Sequence, residues 1–384
     1  MAPLISKLKP FLHIPGFLAL FLLISLPFSI ALNSIALVLI AIWIIYNLII
    51  NPENWTTLKE DKMTLAWLLI PLFYGISIFY SRDFGRAANQ WLNLAPILLL
   101  PLFFTIGDLR INHEQLLKSY VICVLMVGLL QLVTAQGMIV WNSQDPTMTS
   151  VIYDPEKHSF ILWSAIALSS WYSSRSIFWH IAVPLLFLNL FYYGQVDLIL
   201  LSCLSYLVIW MTQRHKKSRP IFAQTLIFGT GVSIISLVFF KVFRANLSDG
   251  LYNLVAIYTG ENWTNRMSAF IVDLRFSLYQ WLKHLLTGVG IGDYTDAIWN
   301  EYHQHNLEAP GYPHTQVLHF LVCAGSAAIF VLYNLVFSWR NMALSKMIYL
   351  SLAIVVMIFA APFKSQVTST AFMLMVLMLP PSHE

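Results

Sequence analysis

Arginine and histidine gather in one stretch of this chain. Residues 241 to 313 hold Lys241, Arg244, Arg266, Arg275 and Lys283 beside seven acids, Asp249, Glu261, Asp273, Asp293, Asp296, Glu301 and Glu308, and His314 follows directly. The planar fork of arginine donates two parallel hydrogen bonds and so suits a diphosphate, each charge-assisted bond being worth about 1.5–3 kcal/mol. Lysine supplies only a point charge. A histidine whose pKa lies near about 6.5 can accept a proton at neutral pH. These residue types suggest capture of an anionic group with proton transfer close by. The plainer reading stands beside it: long loops carry solvated, mutually balanced charge.

Two further patterns in the stretch bear on its chemistry. "TGVGIGDY", residues 287–294, places Gly288, Gly290 and Gly292 as G-x-G-x-G after a helical run. A dinucleotide loop needs G-x-G-x-x-G between a strand and a helix, so both spacing and context exclude that reading, and no nucleic-acid partner is expected. In "YHQHN", His303 and His305 stand two apart in what reads as a polar loop, without the H-x-x-x-H or C-x-x-C spacing that a zinc site would use. Neither a metal nor another cofactor is therefore expected.

The elements that must position these residues follow from composition. Apolar residues make up 58% of the 384 positions and charged residues 10%, against about 45–50% and about 25% in a soluble domain. A spanning helix needs about 20 mostly apolar residues. Runs of that kind lie near 14–31, 33–50, 64–80, 91–107, 116–135, 158–173, 177–194, 196–212, 221–240, 315–337, 346–361 and 364–380. The expected fold is an all-α polytopic membrane protein of about twelve transmembrane helices. "NS" at 33–34 and "GQVD" at 194–197 read as tight turns between antiparallel neighbours. Cys123, Cys203 and Cys323 fall inside apolar runs and read as small core residues. The first apolar run, followed at once by a second, reads as a retained helix rather than a cleaved signal.

Lysine and arginine set the orientation, because cytoplasmic loops are enriched in them. With the N-terminus inside, the cytoplasmic segments receive Lys7, Lys9, Lys59, Lys62, Arg110, Lys118, Arg175, the run "RHKKSR" at 214–219, Arg340 and Lys346. Both termini are then cytoplasmic. One integrated membrane domain results: residues 1–240 carry nine spans, 241–313 form a large outer loop, and 314–384 carry the last three. Within the loop, Met267, Phe270, Ile271, Leu274, Leu278, Trp281, Leu282 and Leu285 recur at helical spacing. That pattern predicts an amphipathic helix lying on the membrane. At about 100° per residue, Arg266 and Arg275 fall on opposite faces of it and grip one phosphate only if the helix begins after Arg266.

Taken in order, "NRMSAF", "LLTGVGIGDY" and "PHTQVLHFLVCAG" resemble the O-antigen ligase superfamily, the O-antigen ligases, polymerases and related membrane oligosaccharyltransferases. The shared pattern is twelve spans, a large loop between the ninth and tenth, and within it arginine, amphipathic helix, G-x-G, then histidine opening a span. The likeness is firmest over residues 262–337. Upstream, "YSRDFGRAANQWLNLAPILLLPLFF" and "EKHSFILWSAIAL" are similar to family segments with less specificity. The chain departs from the pattern at Gln195, Val196 and Asp197, where family members carry an arginine-containing turn, at Thr315, where asparagine is usual, and in an interval from Arg266 to Gly288 about one helical turn longer.

The resemblance implies a bacterial inner-membrane glycosyltransferase with a periplasmic site. Its donor would be a glycan on a polyprenyl (undecaprenyl) diphosphate and its acceptor a glycan or lipid A-core, in O-antigen or surface polysaccharide assembly. On that footing Arg266 is the main diphosphate ligand, Arg275 its helper, and His314 the acceptor-side base. Arg82, Arg86 and Arg244 are candidates for the contact missing near 195–197, and Gly288, Gly290 and Gly292 form a close-packed turn ending the amphipathic helix. The rival expectation is a lipid-linked oligosaccharide flippase or other transporter. Transporters place charge near the bilayer midplane in matched repeats, and here Asp197 is the clearest such charge.

Overall fold

The computed structural model describes residues 14–107, 113–135, 155–172, 176–193, 196–212, 266–304, 315–338 and 344–378. Every regular element among them is helical. In chain order these are α1 (Ile14–Phe28), α2 (Ile30–Ile50), α3 (Glu53–Glu60), α4 (Lys62–Ile78), α5 (Phe84–Leu92), α6 (Ala95–Ile106), α7 (His113–Ala135) and α8 (Pro155–Tyr172). Then come α9 (Ile177–Tyr193), α10 (Val196–Thr212), α11 (Arg266–Lys283), α12 (Tyr294–Gln304), α13 (Gln316–Ala324), α14 (Ser326–Ser338), α15 (Leu344–Phe359) and α16 (Gln366–Leu377), with a 3₁₀ turn at Pro362–Lys364. The predicted span at 221–240, the "RHKKSR" run, Arg244 and His314 lie outside the described residues.

Three described stretches are long and apolar enough to cross a membrane, Ile30–Ile50, Phe84–Ile106 and His113–Leu130. The pair α3 and α4, bent by 88°, would make a fourth if it is one span. Asp61 sits at that bend and caps α4. Its Oδ1 accepts the amides of Met63 and Thr64 (3.1 and 3.2 Å), and the hydroxyls of Thr64 and Thr105 approach Oδ2 at 2.8 and 2.9 Å.

The apolar runs fold as helices where they are described, but one expected turn and one expected span come out differently. Asn33 and Ser34, expected to form a hairpin turn, lie inside α2. The amides of Ser29 and Asn33 donate to the carbonyls of Ser25 and Ser29, both at 3.0 Å, so helical hydrogen bonds run straight through the short break at Ser29. The run expected as one span at 315–337 is instead two helices, α13 and α14, separated at Gly325, whose φ of 59° no helix interior allows.

Two compact units divide the chain. In the unit built from residues 1–36, 108–258 and 374–384, α8 is the central element, packed on α7, α9 and α10. Residues 159–170 are buried on every face of α8, the signature of a helix surrounded by others. Two of its polar groups are met from neighbouring helices, Ser164 Oγ by Tyr120 Oη at 2.8 Å and Trp163 Nε1, which donates to Ser205 Oγ at 3.2 Å.

The other unit, residues 37–107 and 259–373, holds the candidate site. Here α4 is central, touching α5, α6, α13 and α14, while α11 packs on α12 and α13. The indole of Trp91 on α5 donates to the carbonyl of Pro71 in α4 at 2.8 Å, lying where Gly75 has no side chain. Trp67 meets Phe372 edge to face at 5.8 Å and closes the base of this core.

Candidate functional site

The glycine stretch is the hub of the second unit. Gly288 (φ 73°) and Gly290 (φ 92°) occupy the left-handed region, which costs an L-residue about 1–2 kcal/mol. Space forbids a side chain as well. A Cβ on Gly288 would stand 2.3 Å from the carbonyl oxygen of Cys323, and one on Gly292 2.4 Å from that of Asp83. The turn is wedged between the ends of α13 and α4: on one side Val289 N donates to Val322 O (2.9 Å) and Gly290 N to Cys323 O (3.2 Å). On the other, Ile291 N and Gly292 N donate to the hydroxyls of Ser77 and Ser81 at 3.2 and 3.1 Å.

Asp293 completes the clamp. Its Oδ2 accepts the amide of Arg82 at 2.8 Å and its Oδ1 that of Asp83 at 3.2 Å, just where α5 begins. A carboxylate at a helix start satisfies otherwise orphaned amides and meets the positive end of the helix dipole. Asp83 in turn caps α5 by accepting Arg86 N at 2.8 Å. The Arg86 guanidinium is drawn into the same cluster, with Nη1 2.9 Å from Asp296 Oδ1 and Nε 3.4 Å from Asp83 Oδ2.

Beneath the turn runs a buried polar chain. Gln316, the first residue of α13, accepts Phe363 N at its Oε1 (3.0 Å) and donates from Nε2 to Tyr74 Oη (3.1 Å). Tyr74 Oη also lies 2.8 Å from His319 Nδ1, and the ring of Tyr294 meets that imidazole edge to face at 4.7 Å. Thr315 caps α13 by accepting Leu318 N at 3.1 Å. The backbone that directly follows His314 is thus held by its own cap, by Ala360 O accepting Gln316 N at 3.0 Å, and by this chain.

No family model and no curated protein matches the chain.

The residues singled out from sequence fall into distinct settings. Helix α11 begins at Arg266, so Arg266 and Arg275 occupy one helix nine positions apart, about half a turn out of phase. Arg275 is exposed and out of register to grip the group that Arg266 would hold. Arg82 is exposed at the head of α5, and among the described residues its guanidinium has no ion pair, whereas that of Arg86 is taken by Asp296 and Asp83. His303, expected in a polar loop, lies in the last turn of α12; His305 lies outside the described residues, as do His314 and Arg244. Among the described residues, no group of three or more His, Cys, Asp or Glu side chains could hold a metal.

Sequence reasoning missed the partners rather than the turn. Asp293, Asp296 and Glu301 read as charge balance, yet each has a specific contact, Glu301 Oε1 accepting Gln280 Nε2 at 2.9 Å. One signal was present. Ser77 and Ser81 stand four apart at the end of an apolar run, which puts two hydroxyls on one face where only apolar groups were needed.

Proposed function

We propose that this chain is a membrane glycosyltransferase that moves a glycan from a polyprenyl diphosphate to a glycan or lipid A-core acceptor at the periplasmic face of a bacterial inner membrane. The observation that carries the reading is the convergence of the amphipathic helix that Arg266 opens, the glycine turn, and the start of α13 directly after His314, all in one packed unit.

In the reaction the acceptor hydroxyl oxygen attacks the anomeric carbon of the donor sugar. The bond from that carbon to the diphosphate oxygen breaks, the hydroxyl proton passes to His314, and the polyprenyl diphosphate departs with its bonding pair. A diphosphate leaving group needs its growing negative charge met more than it needs a proton, and an arginine fork can meet it. Arg266 takes that role. Of the candidates for a second contact, Arg82 is the better placed, because its cation is not already neutralised by neighbouring acids. Arg275, half a turn out of phase with Arg266, contacts the donor away from the diphosphate.

Substitution in the purified protein tests the roles. Arg266→Lys should fail nearly as badly as Arg266→Ala, since lysine restores charge without the fork, and His314→Ala should lower transfer by about 10² to 10⁴. Transfer should survive a strong chelator. Normal transfer in both the Arg266 and His314 variants would remove this mechanism and favour a transporter. A gene deletion that leaves single repeat units attached to the surface marks a polymerase, and one that leaves none marks a ligase.

A further inference from the structure

Helices α11 and α12 present two chemically different outer faces. On α11 the exposed side chains of the C-terminal half are Arg275, Leu278, Tyr279, Leu282 and Lys283, continued beyond the helix by His284, Leu285 and Leu286, the last 78% exposed. Leucines bordered by basic groups make a face suited to a lipid surface. On α12 the exposed residues are Asp296, Trp299, Asn300 and His303, at steps of three, four and seven along a single stripe. An indole there stands among a carboxylate, an amide and an imidazole, with no exposed aliphatic neighbour on its own helix.

The stripe is held rigid from behind. Tyr294, Ile298 and Tyr302, the opposite stripe of α12, are buried to 2% exposure or less, and Phe276 of α11 meets Tyr302 edge to face at 5.0 Å. Asp296 is tied to Arg86, and Glu301 to Gln280. Trp299, half exposed, has its ring 4.7 Å from that of His303, tilted by 59°, which limits the rotamers of both. A flat, fixed aromatic surface ringed by hydrogen-bonding groups suits a ligand with an apolar face and polar edges. A pyranose ring has that form, its axial C–H bonds on one face and its hydroxyls at the rim.

We propose that the Asp296–Trp299–Asn300–His303 stripe of α12 is a carbohydrate platform, on which one sugar ring stacks against Trp299 while Asn300 and His303 bond its hydroxyls. The proposal rests on the glycosyl-transfer reading for its place in the reaction, where the stripe would hold a sugar of the bound glycan. An interfacial tryptophan anchor is the competing role. Such an anchor would be flanked by exposed leucines as Tyr279 is on α11, and among the described residues of α12 no exposed aliphatic side chain flanks Trp299.

The test uses the full-length protein in lipid nanodiscs and, as probe, the oligosaccharide released by mild acid from the source cell's own surface glycan. Titration calorimetry should show Trp299→Ala weakening binding about tenfold, the scale of one aromatic contact, with Trp299→Tyr within about threefold of wild type and Leu282→Ala unchanged. The fluorescence difference between wild type and Trp299→Phe, which isolates one indole among 13 tryptophans, should be insensitive to brominated phospholipid. Undiminished oligosaccharide binding by Trp299→Ala, or strong quenching of that indole by brominated lipid, overturns the platform. Wild-type protein that transfers glycan yet does not bind the oligosaccharide also overturns it and leaves the transferase reading intact. Binding that depends on Trp299 in a protein without transferase activity supports the platform and removes the transferase reading.

Discussion

Gly288 and Gly325 meet backbone to backbone. A Cβ on Gly325 would stand 2.6 Å from the amide nitrogen of Gly288, and a Cβ on Gly288 2.7 Å from that of Gly325. Both have positive φ. This contact sets the turn after α11 into the break between α13 and α14, so neither position tolerates a methyl group. Gly288→Ala and Gly325→Ala should each destabilise by about 2–5 kcal/mol, combining left-handed strain of about 1–2 with overpacking of about 1–3. Gly85→Ala is the control. It lies in the first turn of α5 with its nearest obstacle 3.7 Å away, and it should raise the thermal unfolding midpoint in detergent slightly.

Asp293 should matter through the backbone it holds. Asparagine offers one acceptor in place of two and turns an N–H donor toward an amide. Asp293→Asn should therefore be nearly as damaging as Asp293→Ala, each costing about 1–3 kcal/mol for charge-assisted bonds lost. Hydrogen exchange checks it directly: the amides of Arg82 and Asp83 should exchange faster in either variant while those deep in α4 do not. Unchanged exchange at those two amides would show that the clamp is not what orders the head of α5.

Arg82 and Arg86 should separate by readout. The Arg86–Asp296 pair is partly exposed on both sides, 39% and 58%, so a double-mutant cycle should give a coupling of about 0.2–1 kcal/mol in stability. Arg82→Ala should leave stability unchanged and raise the KM for a polyprenyl diphosphate donor. Equal effects of the two substitutions on donor KM, with no coupling between Arg86 and Asp296, would contradict the division of roles.

Runs of apolar residues made the helices legible, because a membrane-length segment with no charge has few other ways to satisfy its backbone. What they could not show was where a run is interrupted. Gly325 breaks the stretch expected as the tenth span for a reason visible only in space, the arrival of Gly288. Asn33 and Ser34 were turn-forming types, yet an apolar run on both sides kept the helix intact through them. Helices α3 and α12 are short and polar, without the length of a span, and so read as loop. The opposition of Arg266 and Arg275 follows from 3.6-residue periodicity alone. The grip of Asp293 on Arg82 and Asp83 does not, since periodicity tells which face a residue takes and not which partner, 211 and 210 residues away, will meet it.

The most direct measurement of the central claim places the purified protein in sealed vesicles with a polyprenyl diphosphate-linked glycan in the membrane and an acceptor glycan in the lumen or outside. Covalent joining of donor glycan to acceptor and movement of the donor between leaflets are recorded together. Glycan should be joined to acceptor on one side only, with polyprenyl diphosphate released in equal amount, and both should be lost with Arg266→Lys or His314→Ala. Donor that changes leaflet with no joined product, at a rate those two substitutions leave unaltered, would contradict the transferase reading.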